Sequence, residues 1–333
     1  LGSGEISVFG CIKVGKMASL QDINKRFNAV MPFVTPIGVV LGLLLGHRLD
    51  SFRFLGTYFF AFITFVGALG VSYRQFAQIA RRMTSVLLVL FSAHIVLPVL
   101  VALLGRIVFP TQPDIVTGFV LLSSIPIAVT AFIWSTIYDG DAALALSLII
   151  LDTLLSPILT PLTIRLLSNT TVEIDQGGIM TSLLVMIVLP SLVGMLVTQT
   201  MPKVAKEAVL YLSPVTKLLL IVVVVIHVGA LSGSLSFSWI YVPLILMNLL
   251  VIALGFLVVY VLARYVLKVD RPSLVSMTFT GGMRNISAAL VLATTYFPPL
   301  AALPVILGIL FQQTFVGLLG GVLFGNKRNG SPS

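Results

Sequence analysis

Charge is scarce in this sequence. Only 9% of its 333 residues are charged, where soluble domains carry roughly 25%, too few to cover even one water-facing surface. Cysteine is scarcer still: the single Cys11 excludes both an internal disulfide framework and a cysteine-based metal site. The three histidines, His47, His94 and His227, lie far apart and in no metal-binding spacing. A net charge of +9 could suit nucleic acid. The basic residues, however, sit in short clusters between apolar runs, with no basic face and no aromatic interleaving, so nucleic acid is excluded as a partner.

What is abundant is apolar. Hydrophobic residues make up 58% of the chain, the mean hydropathy is +1.12, and the apolar runs reach about twenty residues, the length that crosses a hydrocarbon core. The chain is therefore read as an all-α integral membrane protein, multi-pass, in the inner (cytoplasmic) membrane with lipid around it. Apolar runs set against polar breaks predict about ten transmembrane helices. They fall near 29–46, 54–72, 84–108, 115–138, 141–167, 178–199, 213–232, 238–266, 272–296 and 298–325. Asp139-Gly140-Asp141 reads as a tight turn or a kink, with Asp141 as the N-cap of the fifth helix. Residues 1–16 are Gly-rich and fit no later pattern, and Met17 opens a more natural beginning. That segment is expected to be foreign to the native chain, and no cleavable signal peptide is evident.

Loop charge orients the chain. With ten spans, one side holds roughly fifteen Lys and Arg residues, and the other holds only Arg48, Arg53, Arg106 and Arg165. Positive charge stays inside, so both termini are expected in the cytoplasm. The polar stretch 169–177 separates a first five-helix repeat, 28–168, from a second, 178–326, with tails at 1–27 and 327–333. An odd number of spans per half makes the second half enter from the opposite face, so the halves are expected to be inverted repeats. Pro32 and Gly38 in the first span echo Pro190 and Gly194 in the sixth.

The fourth and ninth spans both carry an interruption. In Leu122-Ser-Ser-Ile-Pro126-Ile-Ala-Val-Thr130, the proline cannot donate to the Leu122 carbonyl. In Thr278-Phe-Thr280-Gly281-Gly282-Met283-Arg284-Asn285, paired glycines are expected to loosen the backbone just before an arginine. Irregular backbone at membrane depth survives only where protein buries it or where it lines a watery cavity. Matching breaks in two halves point to a binding site at their crossing, although Pro126 could be an ordinary kink and the glycines a close-packing surface.

Arg284 is the most informative residue. An arginine at mid-span costs roughly 2.5–3.5 kcal/mol to insert, so it is expected to face the interior and meet an anion or a carboxylate. Asp152, mid-span in the fifth helix, is the other full charge at that depth and the expected counter-charge. His94 in the third span is either a proton acceptor or a hydrogen-bonded core histidine. Gln312 and Gln313 place polar groups in the tenth span, at least one of them facing inward.

These residues resemble a known family. Gly140-Asp-Ala-Ala-Leu144 followed by Thr153-Leu-Leu-Ser156-Pro157-Ile-Leu-Thr160-Pro161 is similar to the fifth span of the bile acid:sodium symporter family. Gly282-Met283-Arg284-Asn285, followed by Ala288-Ala-Leu and Tyr296-Phe297-Pro298, resembles its ninth. The resemblance covers the chain from about Asn28. It implies a panel of spans 1, 2, 6 and 7, and a core of spans 3–5 and 8–10 in which broken helices 4 and 9 cross. It also implies a secondary transporter that moves an organic anion by alternating access.

The chain departs from the family at the sodium ligands. Ala131-Phe132 stand where the family has Ser-Asn, and Ala145 and Ile149 where it has hydroxyls. Thr280 replaces a glutamate, Arg284 a glutamine, and His94 falls near the third-span glutamine. Asn285 and the carbonyls around Gly281 and Met283 remain. The Arg284 guanidinium is accordingly expected to occupy the space of a sodium ion, leaving Na+ or H+ as coupling ion open, or no coupling at all.

The candidate substrate- and ion-binding residues are thus Pro126, Thr130, Asp152, Thr280, Gly281, Gly282, Met283, Arg284, Asn285 and His94. No cofactor, no metal centre and no catalytic residue is expected. Two other readings compete. A sensor or scaffold could keep the fold without ion coupling. An intramembrane aspartyl enzyme would require two facing carboxylates, and Asp152 has no partner carboxylate at its depth.

Overall fold

The computed structural model describes residues 36–71, 82–168, 174–234 and 239–325. The N-terminal tail with Cys11 and Pro32, the charges Arg74 and Arg81, loop residues 169–173 and the C-terminal tail lie outside them. Every described element is helical, and the one β-type feature among them is an isolated bridge. Helices satisfy their own N–H and C=O groups, which hydrocarbon cannot do for them.

In chain order the helices are α1 (Pro36–Leu45), α2 (Leu55–Ala68) and α3 (Met83–Val108). Then come α4 (Pro113–Ser124), α5 (Thr130–Ile137) and α6 (Ala142–Leu167). After the described gap follow α7 (Gln176–Thr200), α8 (Pro202–Leu231) and α9 (Tyr241–Val266). The last three are α10 (Arg271–Gly282), α11 (Ile286–Tyr296) and α12 (Pro299–Phe324). Six of them, α3, α6, α7, α8, α9 and α12, are long and apolar enough to cross a membrane by themselves. The others are shorter, and α4–α5 and α10–α11 form two interrupted pairs. The seventh predicted span starts earlier than expected, at Pro202, where a proline fits the first turn because its missing N–H has no acceptor there anyway.

Caps set the other starts. Asp141 accepts from Leu144 N at 3.0 Å and Asp175 from Gly178 N at 2.8 Å. Asp139, at φ 59, makes the turn between α5 and α6. Arg82 ties three helix ends together, bonding Asp141 Oδ2 at 2.6 Å and Ser273 Oγ at 2.9 Å.

The helices sort into two groups that share one buried apolar cluster. Helices α1, α2, α7 and α8 pack on one another, with Gly38 against Val224 and Gly194 against the Ala68 turn. Helices α3–α6 and α9–α12 form the larger group, centred on Phe119, Leu121, Ile125 and the fully buried run Ala288–Ala293. A ring cluster of Trp134, Tyr138, Phe256, Phe279 and Phe324 locks α5 onto α10, α9 and α12. Outward-facing side chains such as Leu44, Ile107 and Val322 are apolar and largely exposed, as a lipid-facing surface requires.

Candidate functional site

Two breaks meet. Helix α4 ends at Ser124 because Ile125 precedes a proline, which keeps it out of the helical region, and its ψ is 154°. An extended piece follows around Ile127, and Val129 is already helical where it caps α5 at Thr130. On the other side α10 continues through both Gly281 and Gly282, and Met283 turns extended with ψ 124°. The expected loosening at the glycines is therefore corrected. Both are helical and buried, since a Cβ on Gly281 would run into Val259 and one on Gly282 into Phe256. They let α10 lie against α9, and the break falls at 283–285.

The two extended pieces pair antiparallel, with Ile127 opposite Arg284. Ala128 N donates to Met283 O at 3.1 Å and Asn285 N to Pro126 O at 2.8 Å. Asn285 also caps α11 through its side chain, which accepts from Ala288 N at 3.4 Å. Gln312 of α12 completes the ladder by taking Arg284 N at 3.1 Å and giving to Arg284 O at 3.0 Å. Each break thus supplies the backbone partners the other lacks.

Side chains close the centre. Asp152 is fully buried on α6; its Oδ2 accepts from Ile127 N at 2.6 Å and its Oδ1 lies 2.5 Å from His94 Nε2. His94 stands in a π-turn, Ser92–Val96. Pro98 has no N–H for the His94 carbonyl one turn back, and Thr163 Oγ1 donates to that carbonyl at 3.3 Å. Arg284 is 4% exposed, and its Nη2 donates to Gly281 O at 2.9 Å, placing the charge at the negative end of α10. Its Nε and Nη1 have no hydrogen-bond partner among the described residues. The expected Asp152–Arg284 ion pair is not formed: the carboxylate meets His94 and Ile127, and the guanidinium turns to Gly281 O.

The crossing thus gathers Pro126, Asp152, Gly281, Met283, Arg284, Asn285 and His94. Thr280 turns its hydroxyl back to Ser276 O at 2.7 Å, within its own helix. Thr130 lies apart, with Gln313 Nε2 at 3.5 Å, and Gln313 accepts from Trp134 Nε1 at 3.0 Å. Beside the crossing, between Val129, Ile149 and Thr153 on one side and Thr64, Ser191 and Met195 on the other, lies a small apolar cleft of about 50 Å³.

A sodium ion does not fit this centre. A hard cation needs several free oxygen ligands. Here the Arg284 guanidinium lies on Gly281 O, so a fixed positive charge stands among the oxygens that would have to hold the ion. Among the described residues no cluster of His, Cys, Asp or Glu is arranged to hold a metal.

Sequence reasoning missed a second polar contact. His227 Nδ1 of α8 lies 2.6 Å from Thr294 Oγ1 of α11, and Arg53 Nη1 donates to Thr294 O at 3.0 Å. It joins the smaller helix group to the larger. Its signal in sequence was only that all three residues fall at span ends of one side.

Comparison with known proteins identifies the family. The family described as Sodium Bile acid symporter family matches residues 57–237. YbaS of Bacillus subtilis (strain 168) is 38% identical over 299 residues, covering 88% of this chain and 96% of its own. A protein of the same organism named as an uncharacterized sodium-dependent transporter, YocS, is 26% identical, covering 85% and 88%. BASS1 of Arabidopsis thaliana, named as a probable chloroplastic sodium/metabolite cotransporter, is 28% identical over 66% of this chain and 53% of its own.

Proposed function

The chain belongs to the sodium bile acid symporter family, a family of membrane transporters, and from that premise we propose a secondary transporter for a small organic anion in the cytoplasmic membrane. Its ten spans form two inverted repeats, 28–168 and 178–326, with both termini cytoplasmic. The group α1, α2, α7, α8 is the panel and the remaining helices are the core. The core moves against the panel, exposing the crossing to each side in turn. The cleft between Val129 and Ser191 is the closed form of the passage, and it must widen to admit an organic anion.

One observation carries the reading. Arg284 is buried at the crossing with Nε and Nη1 unpartnered and Nη2 on Gly281 O. A guanidinium held this way offers two donors to a carboxylate or sulfonate, and it stands where the resemblance places sodium. It is a cation built into the chain, so sodium is not the coupling ion. The names of the relatives point to sodium for those proteins; the ligand chemistry here points away from it.

The test is uptake by purified protein in proteoliposomes, using a radiolabelled panel of pantoate, a steroid sulfate and a bile acid. Uptake above protein-free vesicles, independent of sodium and lost in Arg284→Ala, is expected. Uptake that requires sodium would overturn the built-in cation, and no uptake of any member would favour a sensor on the same fold.

A further inference from the structure

One imidazole nitrogen at the crossing has no partner among the described residues. His94 Nε2 faces a carboxylate oxygen. A carboxylate can only accept, so in the neutral ring the hydrogen sits on Nε2 and the lone pair on Nδ1. That Nδ1 is buried and has no hydrogen-bond partner among the described residues. Buried acceptors are nearly always satisfied, and an exception in a functional centre calls for a reason.

The charges around it are few. His94 lies on α3, Asp152 on α6 and Arg284 between α10 and α11. The linker 125–129, α5, α9's span up to Val261 and α12 bring no charged side chain. The other charges on the surrounding helices and their caps, Arg82, Arg106, Asp114, Asp141, Arg165, Arg264, Asp270 and Arg271, sit at helix ends.

Building on the transport reading above, we propose that Nδ1 of His94 binds the coupling proton, which makes the protein a proton–anion symporter. A hydronium ion gives its proton to the Nδ1 lone pair, one O–H bond breaking as the N–H forms, and leaves as water; the ring becomes an imidazolium whose Nε2–H stays on Asp152. With neutral His94, the Asp152 carboxylate and the Arg284 guanidinium cancel. With the proton bound the centre is left at plus one, and a monovalent anion on Arg284 returns it to zero. Net charge inside a membrane is costly, so proton and anion favour each other's binding, and the core crosses either empty or doubly loaded. Ile127 links the two halves of the site, because Asp152 holds its N–H at 2.6 Å and it pairs with Arg284.

Three histidines in the chain make ring-15N-histidine labelling a clean probe. The full protein in lipid bilayers is followed by solid-state NMR from about pH 5 to 9, the window where histidine charge changes, and the His94 signals are assigned by their loss in His94→Gln. The expected result is one step, from an Nε2–H ring to a ring protonated on both nitrogens. Asp152→Asn, which removes the carboxylate, and Arg284→Gln, which removes the neighbouring positive charge, should displace that step in opposite senses, and His227 should follow neither change. A His94 ring fixed in one state throughout, or a step indifferent to both variants, overturns the proposal. If Asp152→Asn fails to fold, Arg284→Gln carries the test, with Asp152→Glu expected to retain the step. The readout needs no solute. An intact step without uptake counts against the transport reading alone, and uptake with a silent His94 counts against the proton site alone.

Discussion

Asp152 and Arg284 meet at Ile127 and not at each other. Asp152 Oδ2 accepts the Ile127 N–H, while the backbone of Arg284 pairs with Ile127 across the two broken helices. The charges are held near one another, yet neither cancels the other through a direct bond. That leaves guanidinium nitrogens for a ligand and a carboxylate for His94.

Removing Asp152 should cost stability before it costs anything else. Deleting the carboxylate leaves the buried Ile127 N–H and His94 Nε2 without their acceptor, and each buried group left unsatisfied costs about 1–3 kcal/mol. Asp152→Ala should therefore lower the thermal midpoint in detergent markedly. Asp152→Asn, whose amide oxygen can still accept from Ile127 N, should lower it less. Equal midpoints for the two would show that the Ile127 bond contributes nothing.

Gly281 and Gly282 separate a packing role from a hinge role. Gly282→Ala would drive its Cβ into the Phe256 ring, and overpacking costs roughly 1–3 kcal/mol. The variant should unfold at lower temperature. A hinge would instead tolerate alanine in the unfolding scan and lose only transport.

At Arg284, charge alone should not suffice. Arg284→Lys keeps the charge but loses the planar fork, so the half-saturating concentration of a transported anion should rise by about tenfold or more, given that a charged hydrogen bond contributes roughly 1.5–3 kcal/mol. Unchanged uptake kinetics in Arg284→Lys would remove the residue from the anion site.

The contact of His227 and Arg53 with Thr294 should hold the panel and core together at one end. In a Cys11→Ser background, a cysteine placed at Ser182, whose hydroxyl lies 2.7 Å from the Tyr296 hydroxyl at that same end, reports opening through a membrane-impermeant maleimide. His227→Ala should speed its labelling from outside several-fold. Labelling at the same rate would mean that the contact is no latch.

Much of the architecture was legible because membrane depth makes strong demands on sequence. Apolar length marked the spans, Asp141 announced its cap, and Pro126 announced the first break through its missing N–H and the constraint on Ile125. The second break was placed too early. Gly281-Gly282 resembles a hinge in sequence, and only the position of Val259 and Phe256 shows that these glycines make room for α9. The partner of Asp152 was missed for a similar reason. Sequence shows which charges share a depth, but not that His94, set in a π-turn before Pro98, meets Asp152. Gln312 was legible as an inward polar group and illegible as a backbone partner, since that role exists only once the two breaks have crossed.

The most direct measurement is thermal unfolding of the purified protein in sodium chloride and in potassium chloride at equal ionic strength. An ion that binds only the folded state stabilises it by about 2.7 kcal/mol at a hundredfold excess over Kd. The built-in cation predicts no difference between the two salts for the unaltered protein, and a sodium-specific rise in Arg284→Gln, larger when combined with Thr280→Glu. A sodium-specific rise in the unaltered protein would contradict it.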